Sequence, residues 1–358
     1  MEVFSNTLTE KRKAFGEILE ITTSHSLHVA LSALGASIQK IAVKNQTGEE
    51  TPLVLGFEDP IYYQKLCCYA GATLGPNAGR IRGGRLPDCQ LACNDGANQL
   101  HGGLPNLSAK LWDIHSVSSG HDAAVISMRT EQPDGLCGYP GNRRYEVCYT
   151  IEDTNWITIE YTAYTDRPTY INLSNHTYWN LSGHFEKSAC HQKLRIFSNN
   201  VCQNDTEHLP ADIIPVQGTV FDFRKSRTMK NAKNFRQNSQ LQMAHGYNHA
   251  FLLNKNQAGR NLRGISRVPQ LKPACILTDP ASGRTLRIFT DAEALVVYSG
   301  GFLEAGMPLL CGQRSVPSCA VALEAQDIPD VMHLLPEYYR LTTPEAPFHR
   351  TIRFQLII

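Results

Sequence analysis

The chain has 358 residues, with 34 Lys and Arg against 33 Asp and Glu and a formal net charge of +1. A balance this close to zero lacks the basic footprint of a nucleic-acid binder and argues against polyanionic partners. No apolar run reaches the roughly 18 residues that a membrane-crossing helix needs, so neither nucleic acid nor membrane is an expected partner.

In chain order, residues 1–16 are polar and charged with no apolar core, so no secretory leader is expected. Short β-rich runs then recur between turn signals, at 26–43, 122–130, 145–151, 156–165, 193–198, 249–253, 274–277, 285–290, 295–298, 319–323 and 351–358. The 156–165 run alternates apolar and polar residues as a half-buried strand does. Asp95-Gly96, Asp134-Gly135 and Pro140-Gly141-Asn142 lie between runs and read as turns. Strands at this spacing without long helical periodicities predict an all-β fold, not a doubly wound α/β sheet. Length alone suggests two domains, yet all-β folds often run longer as one unit, and no hard boundary is visible. The most polar interval, 227–241, is expected to be an exposed loop with a short helix.

Eleven cysteines are present, none in a Cys-x-x-Cys pair. Cys89-x-x-x-Cys93 lacks a second Cys/His pair at a zinc-finger interval. Buried free thiols in a reduced cytoplasmic protein are the economical expectation.

Several segments carry chemistry-bearing side chains. Gly71-Ala-Thr-Leu-Gly-Pro-Asn-Ala-Gly-Arg-Ile-Arg-Gly-Gly-Arg85 has no Gly-Lys-Ser/Thr and is not a phosphate loop. It reads either as backbone that turns sharply and carries Arg80 into a cleft, or as a glycine-rich surface loop with solvated arginines. His101 stands before two glycines, which leaves room for a ligand, although a lone histidine before a turn is more often structural. The segment Asn172-Leu-Ser-Asn-His-Thr-Tyr-Trp-Asn-Leu-Ser-Gly183 packs amides, hydroxyls and two aromatics around His176. Such residues suit a neutral polyhydroxylated ligand with Tyr178 and Trp179 as flat faces; alternatively, its Asn and Ser side chains only close turns. His245 and His249 have the i, i+4 spacing of helical metal ligands, but Gly246 disfavours a helix there and no His-Glu-x-x-His occurs. Finally, an apolar strand runs straight into Glu324, either as a working base with a raised pKa or as an ordinary strand-end ion pair.

Taken together in order, Gly35-Ala-Ser-Ile-Gln39, Leu53-Val-Leu-Gly-Phe57, Ala78-Gly-Arg-Ile81, Leu100-His-Gly-Gly103, Gly138-Tyr-Pro-Gly141, the 172–183 segment, Val216-Gln-Gly-Thr-Val-Phe-Asp-Phe-Arg224, Gly246-Tyr-Asn-His249, Val297-Tyr-Ser-Gly300 and Leu323-Glu-Ala-Gln326 resemble the aldose 1-epimerase (galactose mutarotase) family over nearly the whole chain. The resemblance implies one domain over 1–358, a large antiparallel β-sandwich of the galactose mutarotase-like supersandwich type. It also implies a free monosaccharide as substrate, no metal or organic cofactor, and a monomer or homodimer. On the matching positions His176 would be the general acid and Glu324 the general base, with Arg80, His101 and Asn248 holding sugar hydroxyls. For that chemistry His176 should be substantially protonated while Glu324 is ionised, giving a bell-shaped pH profile.

Four positions depart from the family pattern. Asn248 stands for an aspartate, Gly79 for an asparagine, and Val296 and Gly301 sit where polar amides are frequent. The acid and base are kept while the recognition shell differs. Side chains missing at Gly79, Val296 and Gly301 would open the site to another sugar or a disaccharide. A sugar-binding protein without turnover is the remaining alternative.

Overall fold

Alternation along the strands sets up the layers. Trp156–Thr165 buries Ile157, Ile159, Tyr161 and Ala163 while Glu160 and Tyr164 point to solvent, as the period-two pattern predicts. It pairs in antiparallel register with Arg143–Glu152 on one side and Phe348–Ile357 on the other. These are the middle of a nine-stranded sheet that runs from Arg227–Thr228 at one edge to Asp113–Ser119 at the other. A six-stranded antiparallel sheet has the order Tyr178–Trp179, Val321–Gln326, Ala294–Tyr298, Asn248–Leu253, Ser198–Asn204, Pro210–Pro215. A five-stranded meander from Glu2–Ser5 to Glu50–Pro52 completes the large sheets. This is the all-β, large antiparallel sandwich expected, in the computed structural model, which describes residues 2–5, 16–25, 27–45, 47–65, 68–230, 236–254 and 271–358. Residues 1 and 6–15 of the N-terminal segment, Ser26, Cys67 and residues 231–235 of the polar interval lie outside the described residues.

One buried cluster joins the two largest sheets: Ile288, Ile352 and Phe354 from the nine-stranded sheet meet Phe251, Leu295, Val297 and Leu323 from the six-stranded one. Each such side chain, fully buried, contributes about 1.5–3 kcal/mol. Because strand side chains alternate, turning Leu295, Val297 and Leu323 into that core turns Val296, Tyr298 and Glu324 to the opposite face. That second face is where the chemistry lies.

Some strands differ from expectation. The 26–43 run is two strands, Leu27–Ser32 and Ser37–Lys44, because the chain reverses at residues 33–36. Asp113–Ser119, Ser198–Asn204 and Pro210–Pro215 were not expected as strands beyond Ser198. The first is a polar edge strand with almost no buried side, and Ser198–Asn204 is rich in Asn, so neither shows the alternation that marks a strand in sequence. The polar interval does contain a short helix, Ser239–Met243, capped by the Asn238 side chain on the Leu241 N–H. Among the described residues no helix is long and apolar enough to cross a membrane.

Candidate active site

The six-stranded sheet supplies the floor. Cross-strand register aligns Glu324 with Val296 and Val296 with Ala250, and aligns Tyr298 with Asn248 one row along. Glu324 therefore sits at the end of an apolar row, beside Gln326 two residues further on the same face. All of these line one cleft of about 310 Å³ together with Arg80, His101 and His176.

His176 arrives from the opposite side on an irregular crossing between two-residue strands Ser174–Asn175 and Tyr178–Trp179. Its N–H donates to the Ala72 carbonyl, its carbonyl accepts from Gly71, and its ring lies 4.7 Å from that of Tyr178. The result brings His176 Nε2 to 3.5 Å from Glu324 Oε1, with the two residues only 4 % and 3 % exposed.

The polar residues around His176 do not recognise a ligand. Asn172 binds the Ala78 carbonyl and the Asp327 N–H, Ser174 the Ala325 carbonyl, Asn175 the Gly71 carbonyl, and Asn180 the Cys319 carbonyl. They close backbone in a segment with little regular pairing, which is the turn-closing alternative. Trp179 is likewise no ligand face: it is fully buried and packs on Phe354 at 5.1 Å. Of the twelve residues, His176 and Tyr178 line the cleft.

Arg80 and His101 are brought together by a two-residue ladder, Arg80–Ile81 against Gln99–Leu100. Arg80 Nε donates to Asp95 Oδ2 at 2.6 Å, so the turn Asp95-Gly96 holds the guanidinium it faces. The loop thus carries Arg80 into the cleft rather than into solvent. The Gly79 N–H donates to His101 Nδ1 at 3.1 Å, which places the proton of the neutral ring on Nε2 and makes His101 a donor into the cleft. Burial, then the charges of His176 and Arg80, hold His101 well below the usual histidine range.

Burial acts on the central pair in the same way. It pushes Glu324 up to about 8, with Arg80 pulling partly against it, and it pulls His176 down to about 4. The apolar row of Val296 and Ala250 is the physical source of the first shift. Burial therefore favours the neutral pair, the reverse of the charges expected from sequence. The ion pair and the neutral pair carry the same number of protons, so they exchange by moving one proton between the two side chains.

His101, His176 and Glu324 place three potential metal-ligand atoms within 4.8 Å of one another. The donor set does not fit a cation. His101 Nδ1 already accepts the Gly79 N–H and its Nε2 carries the ring proton, so this ring has no lone pair to give. The other candidate pair fails too, since His249 accepts the Asn248 N–H on Nδ1 and meets Gln240 through Nε2. Burial pulls His249 down to about 3.

Several lining residues carried no sequence signal. Tyr69 packs its ring on His101 at 4.6 Å. Asn204 donates to the Asn248 carbonyl at 2.8 Å, and its own backbone is clamped by Gln240 from the short helix. The polar interval thereby shapes the cleft wall. Gln326, which closes the Leu323-Glu-Ala-Gln326 motif, also lines the cleft, two residues beyond Glu324 on the same strand.

A profile of the family described as aldose 1-epimerase matches residues 17–334. The chain belongs to the aldose 1-epimerase family. It is 30 % identical over 316 residues to a galactose mutarotase from Bos taurus, which covers 87 % of this chain and 85 % of that one. It is equally 30 % identical over 318 residues to an aldose 1-epimerase from Escherichia coli K12, covering 87 % and 86 %. A crystal structure of a galactose 1-epimerase from Lactobacillus acidophilus NCFM superposes with a TM-score of 0.80 at 26 % identity, over 99 % of this chain and 98 % of that one. The family's members are isomerases, and the fold is theirs.

Within this aldose 1-epimerase fold, two of the unusual positions are not gaps. A Cβ on Gly301 would lie 2.3 Å from the His245 carbonyl oxygen, so backbone fills that space. Gly79 has φ +86, and a Cβ there would meet Gln326 Nε2 at 3.0 Å. The expectation that lost side chains open the site thus fails at both. Gly301→Asn, which restores the amide frequent in the family, is accordingly expected to destabilise the fold by about 1–3 kcal/mol through overpacking. Urea denaturation measures this, and unchanged stability would show that His245 gives way freely.

Proposed function

We propose that the protein interconverts the α and β anomers of free aldohexoses such as galactose or glucose, with His176 as acid and Glu324 as base. The observation that carries the reading is the 3.5 Å approach of His176 Nε2 to Glu324 Oε1 at the floor of a cleft sized for one sugar ring. Glu324 takes the proton of the anomeric hydroxyl, the C1–O5 bond breaks, and O5 takes a proton from His176. The aldehyde turns about C1–C2 and closes on its other face, with the two groups exchanging roles, so no proton is gained or lost overall. Arg80, the Nε2–H of His101 and Asn248 hold hydroxyls, and this orientation supplies much of the remaining rate. Asn248 does so without the charge-assisted strength of a carboxylate.

A neutral sugar fits the charges. Arg80 is already paired with Asp95, and Glu304 stands exposed at the rim, where it would repel a phosphate or uronate. A cytoplasmic location belongs to the same proposal, supported by ten described cysteines that are free, four of them buried.

Polarimetry of freshly dissolved α-D-galactose and α-D-glucose tests the reading. The protein is expected to accelerate the approach to equilibrium with at least one of them, whereas binding without acceleration would leave a sugar-binding protein. The pH profile of kcat/KM follows from the pair. Below about 4 His176 gains a proton while Glu324 is already protonated, and no base remains. Above about 8 Glu324 loses its proton while His176 is neutral, and no acid remains. A plateau between these limbs is expected; a single limb would mean that only one of the two groups takes part.

A further inference from the structure

The five-stranded meander carries a cavity of its own, of about 330 Å³. One face of this sheet, with Ile21, Val29, Ile41 and Val43, belongs to the main core, and the cavity lies on the other. It shares no lining residue with the cleft of His176 and Glu324.

Gln39 reaches this cavity through a bulge. Ala30 pairs with Lys40 and Leu31 with Ile38, so Gln39 is an extra residue in its strand. Ile38 and Ile41 both turn into the core, while Gln39 and Lys40 both line the cavity. Gly56 fixes that course, since a Cβ there would lie 2.1 Å from the Gln39 carbonyl oxygen. Gln39 is 1 % exposed, and neither its Oε1 nor its Nε2 has a hydrogen-bond partner among the described residues. A buried amide in that state is costly and calls for a partner from outside the chain. The charged groups nearby are taken up by one another. Lys40 and Lys44 pair with Glu50, and His28 meets Glu50 at 2.6 Å and Glu20 at 3.4 Å. Ala42, Val54, Phe185 and Leu309 make the rest of the wall largely apolar.

We propose that this cavity binds a small neutral molecule with a cis-amide edge, such as a lactam, an imide or a primary carboxamide, whose N–H and C=O pair with Oε1 and Nε2 of Gln39. A glutamine amide presents an acceptor and a donor side by side, and a second amide edge matches both with two parallel hydrogen bonds. An anion would have to take Lys40 from Glu50, whereas a neutral ring needs only the amide and the apolar wall.

The test is ligand-observed NMR with γ-butyrolactam, nicotinamide and uracil on wild type, Gln39→Met and Ala42→Leu. Gln39→Met keeps the length of the side chain without the amide, and Ala42→Leu fills the cavity while leaving the amide in place. At least one probe is expected to bind wild type saturably at millimolar concentration, to bind either variant about 10-fold more weakly, and to resist displacement by galactose. No saturable binding of any probe, undiminished binding by either variant, or displacement by galactose would overturn the site. A crystal soaked in the bound probe should show it on Gln39; an ordered water only on the amide would also overturn it. Urea unfolding checks the premise, because an amide that holds nothing in the chain can be replaced by methionine without loss of the fold. Collapse of Gln39→Met would show that the fold itself uses the amide, and the proposal would fall. None of these outcomes touches the mutarotation reading, which rests on a separate cleft.

Discussion

Glu324→Gln is expected to lower kcat/KM for anomer interconversion about 10²–10⁴-fold, and His176→Asn by a similar factor. Glu324→Gln is nearly isosteric, whereas His176→Asn keeps a polar head but gives up the ring that packs on Tyr69, His101, Tyr178 and Tyr298, so the first is the cleaner test. Glutamine at 324 cannot accept the anomeric proton, and asparagine at 176 cannot deliver one to the ring oxygen. Since each proton transfer needs both groups, the double variant should lose scarcely more than either single one. Polarimetry or NMR exchange on galactose and glucose measures the loss, with circular dichroism to confirm the fold. Retention of more than about a tenth of the rate by Glu324→Gln would remove Glu324 from the chemistry. Residual acceleration near the wild-type KM would instead report the share of orientation by Arg80 and His101.

Arg143→Ala is expected to cost about 3–5 kcal/mol of stability, although Arg143 is far from the reacting atoms in sequence and lines no part of the cleft. Its guanidinium is almost wholly buried and is satisfied by main chain in place of a carboxylate. Nη1 donates to the carbonyls of Tyr139, Pro140 and Gly141, Nη2 to those of Pro133 and Leu136, and Nε to Tyr145 Oη. These carbonyls belong to one loop, residues 133–141, that has little regular structure of its own. Truncation leaves several buried acceptors unpaired at once, which is why the cost exceeds that of an ordinary surface change. Arg143→Lys should recover only part of it, because an ammonium cannot span the fork of acceptors. Urea midpoints decide the matter, and a loss below about 1 kcal/mol would mean that the loop closes without the arginine. The same loop supports the segment that carries His101: Tyr139 Oη donates to Gln99, two residues before it. A raised sugar KM in Arg143→Lys, at a temperature where it stays folded, would show that this support extends to His101.

The central pair was legible in the sequence and its proton arrangement was not. An apolar strand ending in Glu324 already posed the choice between a base and a strand-end ion pair, and the collinear motifs placed His176 opposite it. Sequence carries no measure of dielectric, however. The row of Val296 and Ala250 beside Glu324, which disfavours charge on the carboxylate, exists only once three strands are in register. The 172–183 segment shows the opposite limit. Its amides look like ligand groups in a linear reading, but irregular backbone has unpaired carbonyls and N–H groups of its own, and these claim Asn172, Asn175 and Asn180 first. The missing side chains at Gly79 and Gly301 misled for a related reason, since a glycine marks space that another part of the chain often fills.

By itself the sequence determined the all-β class, through strand alternation and the density of turns, and the family, through the order of its motifs. It also brought forward His176 and Glu324 as the proposed acid and base, through their places in those motifs. Only the tertiary structure decided which polar side chains are left over for a sugar, which tautomer His101 holds and what stands at the rim. These depend on partners such as Gly79, Gln240 and His245, brought together by sheet register and loop packing across about twenty to sixty residues, and a linear pattern does not encode distances of that kind.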